Sequence, residues 1–274
     1  ELFPFFLHSD LFMNRAVDIS VGSLSPTINW GALKHQEFFV PPKDQQAQLA
    51  ELLRSVDEAL QKSKNNEEAL QQYYSIYIDN LFSVNNELWD YKTLNSVANI
   101  NQKTLSSKTD KNYKFSYLDL ASIQGPKLLG DMKVLQYGDA PSRARRIVKN
   151  NSTIIALVRP YQQAIVFINK ANEVISSTGT AVVSAKIGIN DRFLFHQFFS
   201  VRFLRFCERM MTGTSYPAIT QDDLGLYKVA LPKSQSIQDD IAEKLDTIEV
   251  SQIKARDATE SHSKLQQCLL NQVF

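Results

Sequence analysis

Apolar residues recur every three to four positions along two stretches of the chain, one beginning near Asp44 and the other near Ile241. This period is that of an amphipathic α-helix, and a seven-residue repeat of apolar positions is typical of helices that pair. Both stretches have a polar middle. The pattern therefore predicts two long helices, one running on from Asp44 and the other containing Ile241 to Leu269, that pair through a matching seam. The predicted seam residues are Leu49, Leu52, Val56, Leu60, Leu70 and Tyr77 in the first helix and Ile241, Leu245, Ile248, Leu265 and Leu269 in the second.

The heptad of the first helix places one row of the seam at positions 49, 56, 63, 70 and 77 and the other at 52, 59, 66, 73 and 80. At about 1.5 Å per residue, each helix would be roughly 50 Å long. A helix of this length standing alone would expose its apolar stripe to water, so a partner is expected.

Nearly the same phrase occurs twice, as VGSLSPTI at residues 21–28 and as TGTSYPAI at residues 212–219. Each is followed by an apolar run that contains proline near its end, HQEFFVPP at 35–42 and LYKVALPK at 226–233, and then by a predicted long helix. Because proline cannot donate to a sheet ladder, each run is predicted to be a strand that stops at its proline. The chain therefore contains two units with one plan, and only 20 residues precede the first phrase.

The region between the two long helices alternates short apolar runs with turn-forming residues, a pattern typical of strands. A helix rich in aromatic residues is predicted from Asp191 to Met211. The predicted fold class is therefore α+β, a globule of short strands and helices joined to two long helices. The predicted strands are residues 114–123, 152–158, 163–169 and 180–187.

Charge is distributed unevenly along the 274 residues, whose net charge is only +1. Residues 84–230 hold 19 Lys and Arg against 11 Asp and Glu, whereas the rest of the chain holds 11 against 18. This segregation indicates that the middle of the chain meets a polyanion, the alternative being a solvated basic face without a partner.

Two basic clusters lie in this middle region. Arg forks suit phosphate and the guanine edge, and Lys contacts phosphate without discriminating sequence. We therefore predict a nucleic-acid-binding surface. Its candidate residues are Lys103, Lys108, Lys111 and Lys114 in one cluster and Arg143, Arg145, Arg146 and Lys149 in the other.

Other chemistry is not indicated by the sequence. No run of about 18 apolar residues that could span a membrane occurs, and the first residues lack the features of a signal peptide. Cys207 and Cys268 are far apart and fit free thiols in the reducing cytoplasm. The four histidines are scattered, and no phosphate loop, nucleophile elbow or metal-binding spacing is present. No catalytic site, metal or cofactor is therefore predicted for this chain.

Taken together, these features resemble the DNA-specificity subunit of type I restriction-modification systems. The resemblance rests on residues 22–60 and 213–249, and on WDYKTLNSVANI, APSRARRIV and STGTAVVSA, which begin at residues 89, 140 and 177. It covers essentially the whole chain. In this family each of two target-recognition domains is followed by a long helix, and the two helices form an antiparallel coiled coil.

The resemblance implies a division of the chain into four parts: the tail of a first recognition domain (1–41), a central helix (42–83), a complete second recognition domain (84–232) and a distal helix (233–274). The bulk of the first domain is missing. The chain is expected to be either a fragment of a longer subunit, which its non-Met start favours, or a natural half-subunit that dimerises.

The function implied by the resemblance is binding. Each recognition domain would read one half of a bipartite site in double-stranded DNA, and the paired helices would set the spacing. Methylation subunits, carrying S-adenosylmethionine, would dock on this non-catalytic chain, and the ATP-hydrolysing restriction subunit would join through them. Two rival interpretations are the specificity segment of a single-chain restriction-methylation enzyme and a structural coiled-coil protein without a DNA role.

Overall fold

The computed structural model of the chain describes residues 2–83 and 89–274. It contains two compact units, residues up to 71 together with 250–274, and residues 72–249. The predicted boundary at Val84 lies outside the described residues.

The described helices are α1 (Phe3–Phe6), α2 (Asp10–Asp18), α3 (Trp30–Leu33), α4 (Lys43–Ser83), α5 (Leu94–Val97), α6 (Asp191–Gln197), α7 (Val201–Met210), α8 (Gln221–Gly225) and α9 (Gln235–Val273). The described strands are β1 (Trp89–Thr93), β2 (Ala98–Ile100), β3 (Lys114–Leu118), β4 (Ile123–Gln124), β5 (Lys127–Leu128), β6 (Lys133–Gln136), β7 (Ala144–Ile147), β8 (Ser152–Ala156), β9 (Ile165–Ile168), β10 (Val174–Ser177), β11 (Thr180–Ala185) and β12 (Lys228–Pro232).

The repeated phrase forms the same turn in both units. Val21 and Thr27 exchange backbone hydrogen bonds of 2.9 and 3.0 Å, and Thr212 and Ala218 exchange two of 3.0 Å. The glycine that follows the first bridging residue has φ +104° in the first turn and +92° in the second. Residues with a side chain rarely adopt this conformation, so the turn favours glycine at this position in both phrases.

The strand predicted at residues 35–42 is wrong, because no residue from 36 to 42 pairs in a sheet. The later copy does form a strand: β12 pairs with β1 in antiparallel register, with Trp89 opposite Pro232. A strand needs a partner for its backbone groups. The described residues of the first unit contain no strand that could pair with residues 36–42.

The long helices α4 and α9 pair antiparallel within the first unit. Ala50 and Leu53 of α4 share a buried cluster with Leu270 of α9. Further along the pair, the Ser63 hydroxyl lies 2.7 Å from Nδ1 of His262. As residue numbers rise along α4 they fall along α9, which is the antiparallel arrangement. The α+β fold class with two long paired helices is confirmed.

The seam of the first unit differs from the predicted one at two leucines. Leu52 is 45% exposed and Leu265 is 47% exposed, so both lie outside the buried interface. Leu53, next to Leu52, is buried instead, and Leu60 of α4 and Leu270 of α9 are buried as well. The second row of the α4 seam therefore runs through 53, 60 and 67 in this unit and continues at 74 and 81 in the second, one position after the predicted row.

The other predicted seam residues are buried or half-buried in the unit to which each belongs. In the first unit these are Leu49, Val56, Leu60, Leu70 and Leu269, and in the second they are Tyr77, Ile241, Leu245 and Ile248.

The second unit is built on two four-stranded sheets, with strand orders β6-β3-β10-β7 and β2-β11-β8-β9. β8 and β11 are interior strands of the second sheet, and every residue of β8 is buried. Their β-branched composition fits a strand that is covered on both faces. The strands predicted around residues 114–118, 152–156, 165–168 and 180–185 are thus present.

The main core of the second unit combines helices with this second sheet. Ile78 and Phe82 of α4, Phe193 of α6 and Leu245 of α9 are buried in it. The single helix predicted from Asp191 to Met211 is wrong, because α6 ends at Gln197 and α7 begins at Val201. Ser200 starts the new helix, since its side chain accepts a hydrogen bond from the backbone N–H of Phe203.

Candidate nucleic-acid interface

The two basic clusters predicted from the sequence lie side by side in the second unit. The segment that follows β2 runs antiparallel to β7. The N–H of Leu105 donates to the carbonyl of Arg145 (2.8 Å), and the N–H of Ile147 donates to the carbonyl of Lys103 (3.1 Å). This pairing brings Lys103 next to Arg145 and Arg146, although more than 40 residues separate them in the sequence.

The other lysines continue from this point. Lys108 and Lys111 are exposed in the loop before β3, and Lys114 is exposed at the first position of β3. The loop is fastened by a hydrogen bond from the N–H of Gly138 to the carbonyl of Lys111 (2.9 Å). In the sheet β10 lies between β3 and β7, so Lys114 is placed two strands away from the arginines of β7.

The arginines of the cluster differ in how they are held. Arg143 forms an ion pair with Asp119 (2.8 Å) and donates to the Tyr117 hydroxyl (3.2 Å). The hydrogen bond to Tyr117 and the Asp119 carboxylate raise the pKa of the Arg143 guanidinium. Arg145 lies over the ring of Tyr137, 5.0 Å from its centroid. Arg143 is therefore already neutralised in part, whereas Arg145 has an aromatic support but no acidic partner among the described residues.

Arg146 and Lys149 complete the cluster. The Nε atom of Arg146 is shielded from solvent and has no hydrogen-bond partner among the described residues. Burial lowers the pKa of the Arg146 guanidinium. A shielded donor without an acceptor costs free energy, about 1–3 kcal/mol. The ammonium of Lys149 donates to the side-chain oxygen of Gln102, which links the ends of the two clusters.

Beyond β7 the surface continues to the turn at residues 212–218, which was not predicted from the sequence to be part of the site. The N–H of Thr178 donates to the carbonyl of Arg143 (2.8 Å), and the N–H of Leu157 donates to the carbonyl of Gly179 (2.9 Å). The end of β8 is therefore held close to Arg143.

Two residues after Leu157 the chain reaches Arg159, whose φ of +49° is in the left-handed region. Its N–H donates to the carbonyl of Pro217 (2.7 Å), and its guanidinium lies 5.3 Å from the centre of the Tyr216 ring. Tyr216 is 73% exposed. Serine occupies the matching position, Ser25, in the first copy of the turn, so the turn does not require the aromatic ring.

A buried polar network joins three helices of the second unit. The Tyr74 hydroxyl lies 2.7 Å from Nδ1 of His196, and Nε2 of His196 lies 2.7 Å from the Asp246 carboxylate. Arg192 contacts the carboxylates of both Asp246 and Glu249. Burial lowers the pKa of the His196 imidazole to about 4, against the opposing hydrogen bond to Asp246. His196 is therefore neutral near pH 7, accepting from Tyr74 and donating to Asp246.

This network contains the one group in the described part of the chain whose side chains could converge on a metal. Ligand atoms of His196, Asp246 and Glu249 lie within 4.8 Å of one another. The Arg192 guanidinium, however, already contacts both carboxylates, and the imidazole is engaged on both nitrogens. The network links the helices to one another through hydrogen bonds and ion pairs, and we assign no metal to it. Its members are far apart in sequence, so spacing could not have revealed them.

No helix in the described part of the chain has an apolar stretch long enough to cross a membrane.

Comparison with known proteins gives one family. A profile of the type I restriction modification DNA specificity domain matches residues 86–259, more than half of the chain. No curated protein sequence is significantly similar.

Similar solved structures share the fold. A crystal structure of a type I restriction-modification system S subunit from M. genitalium superposes with a TM-score of 0.65 at 18% identity, over 98% of this chain and 71% of that one. The HsdS subunit from Thermoanaerobacter tengcongensis gives 0.52 at 17% identity, over 99% and 70%. A chain from a structural study of complex assembly and conformational transition of the type I R-M system gives 0.59 at 16% identity, over 98% and 69%.

Proposed function

Because the chain belongs to the type I restriction modification DNA specificity domain family, we propose that it is a non-catalytic specificity subunit of a type I restriction-modification complex. In this proposal residues 84–232 are a target-recognition domain that binds double-stranded DNA and reads one half of a bipartite site. Residues 1–41 are the end of another such domain, which comes first in chain order.

The observation that carries the DNA-binding proposal is the antiparallel pairing of residues 103–105 with β7. It brings basic residues from two distant segments next to each other in a domain with excess positive charge. Lys103 and Lys149 fit contacts to phosphate, which supply affinity and position. Arg145, with its planar fork supported by Tyr137, fits bidentate contact to a guanine edge or a phosphate.

The rim formed by Arg159 and Tyr216 extends the proposed surface. An arginine stacked on an exposed tyrosine offers a cation and a flat ring next to each other, a combination that is favourable at interfaces. The proposed DNA contacts of the chain are the eight basic residues named from the sequence together with this pair.

We assign the paired helices α4 and α9 to spacing and assembly. Helices of about 40 residues can hold a recognition domain at a fixed reach, because each helical turn adds about 5.4 Å. The acidic balance of the flanking segments suits protein partners better than phosphate. The proposed partners are methylation subunits, which would bring S-adenosylmethionine, and through them the restriction subunit. This chain would need no cofactor, and the complex would work in the cytoplasm.

The direct test is DNA binding by the complex of this chain with its methylation subunits. The R145A/R146A variant should lose target affinity by tenfold or more, since each bidentate contact contributes about 1–3 kcal/mol. The K170A variant, which removes an exposed positive charge of the same domain, is the control. Equal affinity of R145A/R146A and wild type, with assembly intact, would contradict the proposed surface. Sequence-independent binding by the wild-type complex would contradict the specificity role itself.

A further inference from the structure

Helix α7 carries three arginines that sequence reasoning did not select. Arg202, Arg205 and Arg209 are spaced three and four residues apart, so they lie on one face of the helix. They line an open cleft of about 470 Å³ together with Val201 and with Asp79 of α4. All five residues belong to the second unit.

Arg202 forms the inner wall of the cleft. Its guanidinium lies 4.8 Å from the centre of the Tyr91 ring and 5.8 Å from that of Tyr227. Its Nη1 atom is shielded from solvent and has no hydrogen-bond partner among the described residues. The aromatic rings thus hold the charge in place without neutralising it.

Arg205 and Arg209 form the outer wall. Both are exposed, and neither has an ion-pair or hydrogen-bond partner in the described part of the chain. Among the described residues, Asp79 is the only acid that lines the cleft, and its carboxylate already accepts the backbone N–H of Val201 at 2.8 Å. In this part of the chain three positive side chains therefore face one negative side chain, which is engaged in capping α7.

We propose that this arginine cleft binds phosphate, and that the phosphate is supplied by the backbone of duplex DNA bound to the same domain. Guanidinium forks match phosphate oxygens in geometry as well as in charge. Arg205 and Arg209 are about 6 Å apart along the helix axis, so they are placed to contact neighbouring phosphates.

Continuity with the proposed DNA surface favours DNA as the source. Helix α7 ends at Met210, and Thr212 begins the turn that carries Tyr216. Ala218 of that turn pairs with Val158 as well as with Thr212, and Val158 directly precedes Arg159. The positively charged helix α7 therefore lies next to any duplex that is bound at Arg159 and Tyr216. This inference rests on the proposed DNA-binding function and adds contacts that do not read sequence.

Such contacts have a defined signature. Each phosphate neutralised by the protein contributes about 0.9 to the slope of log affinity against log salt. Loss of two phosphate contacts should lower the magnitude of this slope by about 2. It should weaken binding to target and to non-target DNA by a similar factor, so the ratio of the two affinities stays unchanged.

The test compares the wild-type complex with R205A/R209A in complex with methylation subunits, using target and non-target duplexes between 50 and 200 mM salt. The control K170A/K228A removes two exposed positive charges of the same unit that do not line the cleft. We expect the reduced slope in R205A/R209A alone. The inference is overturned if the slope is unchanged, if K170A/K228A lowers it equally, or if R205A/R209A fails only to bind methylation subunits.

A second arm distinguishes a bound small anion from DNA. Thermal unfolding is measured with and without inorganic phosphate. If inorganic phosphate stabilises the wild type but not R205A/R209A, the cleft is a phosphate site. If this stabilisation is seen while the salt slope of DNA binding is the same in both proteins, the ligand is free phosphate, and DNA as the source of the phosphate is overturned. If the wild type binds its target normally and R205A/R209A matches it in both arms, the cleft inference fails while the proposed function stands.

Discussion

Replacing Leu53 by alanine removes a side chain that is fully buried, with 0% exposure, between α4 and α9 in the first unit. It lies in a small cluster with Leu2, Ala50 and Leu270. Removal of a buried leucine side chain costs about 2–5 kcal/mol, because the lost transfer free energy adds to the cost of the cavity. For a unit of about 100 residues this predicts a fall in Tm of at least about 8 °C.

The neighbouring leucine supplies a matched control. Leu52 is 45% exposed, so the L52A variant should change stability by less than about 0.5 kcal/mol, or less than about 4 °C. The two variants differ by one position and remove the same atoms.

Scanning calorimetry is the appropriate assay, because it can separate the transitions of two units that do not unfold together. The transition of the unit that contains residues 2–71 should shift in L53A and stay in place in L52A. If L52A lowers Tm as much as L53A does, the seam has the heptad register predicted from the sequence, and the register described above is wrong.

Three further predictions concern the interface and the buried network. The Y216A variant should weaken DNA binding several-fold without loss of stability, whereas Y73A, which removes another exposed tyrosine, should bind like wild type; equal binding by both would remove Tyr216 from the surface. The D119N variant should tighten DNA binding, since it frees Arg143 from its ion pair while an amide can still accept the N–H of Leu120; unchanged affinity would indicate that Arg143 does not meet DNA. The buried His196 has a pKa of about 4 in the folded chain and an ordinary value near 6.5 when unfolded. Protonation therefore favours the unfolded chain, so the contribution of neutral His196 to the free energy of unfolding is fully present above pH 6.5 and is lost as pH falls toward 4, by about 3 kcal/mol in all. The H196Q variant should lack this part of the pH dependence, and identical stability profiles from pH 7 to 4 would refute the assignment.

The sequence predicted the long helices because their apolar repeat extends over several heptads, which is a strong signal. It placed one row of the α4 seam wrongly for a physical reason. Leu52 and Leu53, and again Tyr73 and Tyr74, are adjacent apolar pairs, and either member fits a spacing of three or four residues. The packing of α9 against α4 decides between the leucines, and the contacts of Tyr74 with His196 and Phe199 decide between the tyrosines.

The strands were predictable where they are interior to a sheet, as in β8 and β11, because continuous β-branched runs mark them. Residues 35–42 show the limit of that reasoning. Their pattern matches that of β12, but a strand also depends on a partner that local sequence does not encode.

The candidate interface was predicted in part. The basic clusters were visible as runs, yet their juxtaposition depends on hydrogen bonds between residues 103–105 and β7. Arg159 with Tyr216, and Arg205 with Arg209, were missed because neither pair forms a run of charge. The spacing of the α7 arginines was the one available signal, and the helix predicted from Asp191 to Met211 already placed them on one face.

The central claim is that residues 84–232 read one half of a bipartite DNA site while α4 and α9 set its distance from the other half. Methylome sequencing of cells that carry the intact system, compared with cells in which this segment is exchanged for that of a relative with another specificity, tests it most directly. We predict that one half of the methylated motif changes, while the other half and the spacer length stay the same. An unchanged motif, or a change in both halves or in the spacer, would contradict the account.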